Sequence, residues 1–131
     1  PPHPPQHSFP TRRSSDLSDL EVFPLQQHTQ GEYAIKVNVT NTGKRAGDEV
    51  VQLYVRDKVS SVITYDSQLR GFERVSLQPG ETRQVTFSLK PEDLQILDRN
   101  MNWTVEPGEF EVMIGASSQD IRLKKTITAL P

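Results

Sequence analysis

The sequence predicts an all-β chain, an antiparallel β-sandwich of seven or eight strands. Three observations lead there. Short runs alternate apolar and polar residues, the period-2 pattern of strands that bury one face. Turn signals built on Gly, Pro, Asn and Asp separate these runs, roughly every ten residues. One stretch alone reads as helical, and it lasts a single turn.

The pattern is densest in residues 69–89, LRGFERVSLQPGETRQVTFSL. Val75 and Leu77 alternate with Arg74, Ser76 and Gln78. Pro79-Gly80-Glu81 then turns the chain, because Pro presets φ at the first central turn position and Gly accepts the positive φ that follows in a type II turn. The second run sets Val85, Phe87 and Leu89 on one face, with Gln84, Thr86 and Ser88 on the other. Phe72 falls on the opposite parity from Val75 and Leu77. Gly71 beside it predicts a bulge that re-aims the Phe ring inward.

Residues 1–18 differ from the rest. Five of the ten prolines lie in the first ten residues, and no apolar periodicity follows them. Such a stretch buries too little surface to offset its ordering entropy. It reads as a Pro-rich linker or, through FPTRRSSDL, as a translated sequencing-adapter artefact. Both readings make it dispensable and leave residues 19–131 as the folded domain. Residues 20–25 (LEVFPL) form a short edge strand, because Pro24 is tolerated only at an edge or a strand end. Residues 26–31 form a polar connection. In residues 33–40, Tyr33, Ile35, Val37 and Val39 face in. A Gly-punctuated loop occupies residues 41–47.

Residues 49–56 (EVVQLYVR) are apolar on both faces, Val51, Leu53 and Val55 on one, Val50 and Tyr54 on the other. A strand apolar on both sides is usually covered on both. The long connection 57–68 carries Val62, Ile63 and Tyr65 among polar residues, and connections of this length are often functional. Val50, Tyr54, Val62, Ile63 and Tyr65 are therefore read as a docking surface. Pro91-Glu92-Asp93-Leu94 is the helical turn, with Pro at its first position and two acids at its positive end. Ile96 and Leu97 start a short strand, and Glu106-Pro107-Gly108 turns the chain again. Phe110, Val112 and Ile114 alternate with Glu109, Glu111 and Met113 on the next strand, and the last strand closes the domain with Ile121, Leu123 and Ile127.

The 131 residues suffice for one domain with a sizeable core. The Pro/His-rich start has no apolar segment of the secretory type, and no apolar run approaches the ~18 residues of a membrane span. There is no cysteine and the net charge is −2. Neither a nucleic acid nor an anionic membrane is an expected partner of so weakly charged a chain.

Three segments carry a resemblance. VTNTGKRAGDEVVQLYV, LRGFERVSLQPGETRQVTFSL and NWTVEPGEFEVMIGASS, in this order and spacing, resemble the fibronectin type III-like domain at the C-terminus of glycoside hydrolase family 3 enzymes. The likeness spans about residues 19–130. These enzymes are mostly β-glucosidases, with β-xylosidases among them, and DKVSSVITYDSQLRGFERV is most similar to bacterial members. Many relatives have a proline where this chain has Ile63-Thr64-Tyr65-Asp66. The resemblance implies a periplasmic or secreted parent enzyme with two upstream domains. Those domains hold the catalytic Asp and Glu, and the present chain docks on them as a non-catalytic support. A carbohydrate-binding module that holds polysaccharide near the active site, or a free-standing adhesion-type sandwich, are the alternatives. No cofactor or metal is implied.

Local chemistry points the same way. A retaining glycosidase needs two carboxyls ~5–5.5 Å apart, one of them with a raised pKa. Glu109 and Glu111 share a strand face, but only Met113 stands there to desolvate them, so a solvated face is expected. Asp98, Asn100, Asn102 and Glu109 match positions of a calcium loop, yet Trp103 replaces the glycine its sharp turn requires. His3 and His7 lack a third metal ligand nearby. His28 has no Gly-x-Ser-x-Gly elbow to serve. Tyr54, Tyr65 and Trp103 offer a sugar-stacking platform, against the simpler reading of Trp103 as core. Asn38-Val39-Thr40 and Asn102-Trp103-Thr104 fit the N-glycosylation pattern, accidentally so in a bacterial chain.

Overall fold

The computed structural model describes residues 15–58 and 67–131. Residues 1–14 and 59–66, and with them Val62, Ile63 and Tyr65, lie outside the described residues. Seven strands are long: β1 (Ser15–Phe23), β3 (Tyr33–Asn41), β4 (Gly47–Asp57), β5 (Gln68–Leu77), β6 (Thr82–Leu89), β9 (Gly108–Ser117) and β10 (Asp120–Leu130). Three are two or three residues long: β2 (Gln26–His28), β7 (Ile96–Leu97) and β8 (Trp103–Thr104). A 3₁₀ turn, Pro91–Leu94, follows β6, and the Asp93 carboxylate accepts a hydrogen bond from the Lys90 N–H at its start.

The strands form a three-stranded sheet, β1-β3-β6, and a five-stranded sheet, β2-β10-β9-β4-β5, with β7 and β8 paired apart. Among the described residues every pairing is antiparallel except β2 with β10. The inner faces meet in one core. Ile35, Val37 and Val39 from β3 and Leu89 from β6 are fully buried, as are Leu53, Val112, Ile114 and Ile127 of the other sheet. Alternation therefore placed the central residues correctly, Val75, Leu77, Val85 and Phe87 included. The turn after β5 also forms as expected: Gly80 has φ +79° and the Glu81 N–H donates to the Gln78 carbonyl.

Polar groups join the layers. The Tyr33 hydroxyl on β3 donates to the Thr128 carbonyl on β10 at 3.0 Å, and burial raises the Tyr33 pKa. Asn41, at the end of β3, is 4% exposed. Its amide nitrogen donates to the carbonyls of Arg45 and Leu77, and its oxygen accepts from the Gly43 N–H. One side chain thus fixes the β3–β4 loop and the end of β5, leaving none of its polar groups bare.

Three expectations need correction. The boundary after Ser18 falls inside β1, because residues 15–18 pair with residues 38–41 of β3. Ser15 is buried; its hydroxyl donates to Glu49 of β4, and its carbonyl accepts from Arg122 of β10. Those bonds to distant elements are invisible to a local apolar count. Second, Phe72 points outward and is 65% exposed. A bulge does occur, but pairing passes from Leu53↔Gly71 to Tyr54↔Leu69, so the residue skipped is Arg70. Gly71 then takes the inward position, where a Cβ would stand 3.1 Å from the Phe87 ring. The ring of Phe87 fills the space that a side chain at 71 would need, and Phe72 falls on the solvent side. Third, Trp103 is not core. It is 66% exposed on β8, opposite Leu97 of β7, in a two-stranded sheet separate from the two large ones.

Candidate functional site

The outer face of the five-stranded sheet is where the sequence reading and the structure meet. Outward positions on β4 run Asp48, Val50, Gln52, Tyr54, Arg56. Their cross-strand neighbours on β5 are Ser76, Arg74, Phe72 and Leu69, and on β9 they are Gly115, Met113 and Glu111. The register brings Val50, Tyr54, Leu69, Phe72 and Met113 onto one face. Phe72, Leu69 and Val50 are 65%, 46% and 37% exposed, whereas Tyr54 and Met113 are buried at 9% and 6%.

Tyr54 is therefore not the open ring that the sequence reading expects. It lies between Met113 and Leu69 across the two neighbouring strands, and its hydroxyl donates to Gln52. Periodicity alone could not show this, because the cross-strand neighbours of Tyr54 lie on strands whose order is not written in the local pattern. Leu69 was missed because the bulge at Arg70 decides its side; Phe72 was missed because a bulge was expected at Gly71, whereas plain alternation from Val75 and Leu77 already turns it outward.

Charged groups rim the apolar patch. At one end the Asp48 carboxylate accepts from Ser76 Oγ at 2.6 Å and from Arg74 Nη2 at 2.8 Å. Those two groups, the serine first, hold its carboxyl below the usual carboxylate range. At the other end Arg56 pairs with Glu111 at 3.1 Å, and Lys58 with Glu109 at 3.7 Å. Glu109 and Glu111 thus each face a cation, which is no setting for a proton-sharing acid pair.

The remaining candidates do not converge. Asp98 Oδ1 accepts the N–H groups of Asn100 and Asn102, closing the loop on itself, while Glu109 lies on β9 beside Lys58. Among the described residues no three His, Cys, Asp or Glu side chains cluster as metal ligands would. His28 is exposed on β2, and the Asn38 amide donates to Asp19 at 3.0 Å. Trp103 is open, but Tyr54 is covered, so these two form no shared stacking surface. A small cavity of about 40 Å³ lies where the 3₁₀ turn approaches β4 and β5, between Asp57, Arg70, Asp93 and Phe110. The buried Arg70 Nε has no acceptor there, and the space admits a water or two to supply one.

The comparison with known proteins decides the family. Residues 49–118 match the model of the fibronectin type III-like domain. The chain belongs to that family. Among curated proteins, the domain is 50% identical over 94 residues to a β-xylosidase of Formosa agariphila, covering 72% of this chain and 13% of the relative. It is 42% identical over 113 residues to a thermostable β-glucosidase of Acetivibrio thermocellus, covering 86% of this chain and 15% of the relative. Among solved structures, a β-glucosidase from Erythrobacter marinus superposes with a TM-score of 0.84 at 38% identity, over 89% of this chain and 15% of that one. The domain therefore spans about one seventh of the length of the curated relatives it matches. It is the fibronectin type III-like domain that family 3 glycoside hydrolases carry as one part of a longer chain, as the three sequence segments implied.

Proposed function

We propose that this chain is the C-terminal, non-catalytic domain of a longer family 3 β-glycosidase, and that it docks on the catalytic domains and stabilises them. One observation carries the reading. Most of this sandwich matches β-glucosidases and β-xylosidases, yet it accounts for only 13–15% of those proteins, so the chemistry belongs to the remainder. The side chains agree with a supporting role, since Glu109 and Glu111 are engaged by Lys58 and Arg56. Val50 and Tyr54 belong to the proposed contact, with Val62, Ile63 and Tyr65 of the β4–β5 connection. The parent acts on β-glycosidic bonds of glucosides or xylosides. The alternative, a module that holds polysaccharide, now rests on Trp103 without Tyr54.

Two measurements test this. The purified chain, given aryl β-glucosides and β-xylosides, is expected to release no product; turnover abolished by Glu109→Gln or Glu111→Gln would overturn the reading. Deleting residues 15–131 from the unbroken enzyme is expected to lower its Tm, and an unchanged Tm argues equally against it.

A further inference from the structure

The docking reading above leaves open which face makes the contact and which side chain leads it. We infer that the contact is the outer face of the β5-β4-β9 sheet, and that Phe72 is its central side chain, seated in an apolar socket on the catalytic part of the same longer polypeptide. The inference rests on the proposed docking role and deepens it.

Four observations support it. Phe72, Leu69 and Val50 stand together on one face in a register fixed by two strand pairings, and all three are exposed. Beside them on the same face Tyr54 and Met113 are already packed, so the patch is flanked by firmly held apolar side chains. Soluble domains rarely leave such a contiguous patch open unless something covers it. Its ends are closed by the Asp48–Arg74–Ser76 group and the Arg56–Glu111 pair, which gives an apolar centre with a polar rim, the anatomy of a protein interface. The polar groups on this face are engaged with one another, Tyr54 with Gln52 and Asp48 with Arg74, which disfavours a hydroxylated sugar as the occupant. The relatives supply the right one: more than four fifths of their length lies outside this domain and on the same chain.

Gly71 keeps Phe72 on the outer face. Facing inward, Gly71 makes room for the Phe87 ring, and the backbone then presents residue 72 to solvent with no means of turning it into the core. An aromatic side chain held outward by a fixed backbone loses little entropy on binding, a property of side chains that dominate interfaces.

The test is hydroxyl-radical footprinting of the unbroken enzyme, read by mass spectrometry at Phe72, Phe23 and Phe110. In the sandwich Phe23 is 77% exposed and Phe110 is 2% exposed, so the two set the open and closed limits for the same side chain. The expected result is that Phe72 oxidises at the slow rate of Phe110, independent of protein concentration. Oxidation at the rate of Phe23, in an enzyme whose Tm falls when the domain is deleted, overturns the inference and leaves the docking role standing through another face. Oxidation at that rate with no loss of Tm on deletion removes both. Protection of Phe72 that grows with protein concentration means a second copy covers the face, and also overturns the inference.

Discussion

Replacing Asn41 tests whether a single buried amide holds one end of the sandwich together. The side chain is 4% exposed and makes three hydrogen bonds: to the Arg45 carbonyl at 2.9 Å, to the Leu77 carbonyl at 3.0 Å, and from the Gly43 N–H at 2.8 Å. Its backbone adds two more, to Glu81 and from Gly80, which tie β3 to the β5–β6 turn and survive substitution. Asn41→Ala strands three backbone groups. The Leu77 contact is fully buried, and losing its donor costs about 1–3 kcal/mol; the two part-buried contacts cost about 0.5–1.5 kcal/mol each. The expected loss is about 2–6 kcal/mol, a large share of the stability of a domain this size. Asn41→Asp keeps the acceptor for Gly43 but aims an anionic oxygen at two carbonyls, so it should be no milder than alanine. Urea unfolding of the chain measures both, with the midpoint falling and the m-value unchanged. A loss below ~0.5 kcal/mol, the range of ordinary surface changes, would refute the argument. So would an aspartate variant as stable as the parent.

Two further outcomes follow from the same structure. A chain shortened to begin at residue 19 should melt below one shortened to begin at residue 15, because Ser15 bonds Glu49 and accepts from Arg122; equal Tm values would show that residues 15–18 contribute nothing. Asp48 has its folded pKa lowered by Ser76 and Arg74, so its contribution is present above its unfolded pKa of about 3.8 and is lost as pH falls below it. Asp48→Asn should therefore flatten the loss of Tm on acidification below pH 3.8 and lower Tm slightly at neutral pH; a steeper acid-side slope would contradict this sign.

The parts of the fold legible in the sequence are those fixed by local period. Val37 and Val39, or Phe110 and Val112, alternate with polar neighbours, and the pleat puts each on the core side whatever the strand pairs with. Gly80 was legible for a similar reason, since a positive φ after Pro is a local demand. Residues whose side depends on a distant partner were not legible. The side taken by Leu69 turns on the bulge at Arg70, and the need for a glycine at 71 comes from Phe87, on a strand that does not pair with β5. The short strand β2 has the sequence QQH, with no apolar signal, and exists because the edge of β10, about a hundred residues on, offers it hydrogen bonds. At the candidate site Val50 was found from its own strand, but Leu69 and Met113 joined the face only once the register was known.

That parallel pairing of β2 with β10 has a mechanical side. Gln26, Gln27 and His28 lie alongside Thr128, Ala129 and Leu130, and two flanking bonds, Thr29 to Leu130 and Thr128 to Leu25, lengthen the seam. Tension applied to the start of β2 and the end of β10 pulls the two strands past each other along their axes. Every bond of the seam is then strained at once and none can open before its neighbours. An antiparallel pair of the same length, pulled from adjacent ends, would peel apart one bond at a time. The seam therefore resists sliding along its own axis more than a hairpin of the same length would.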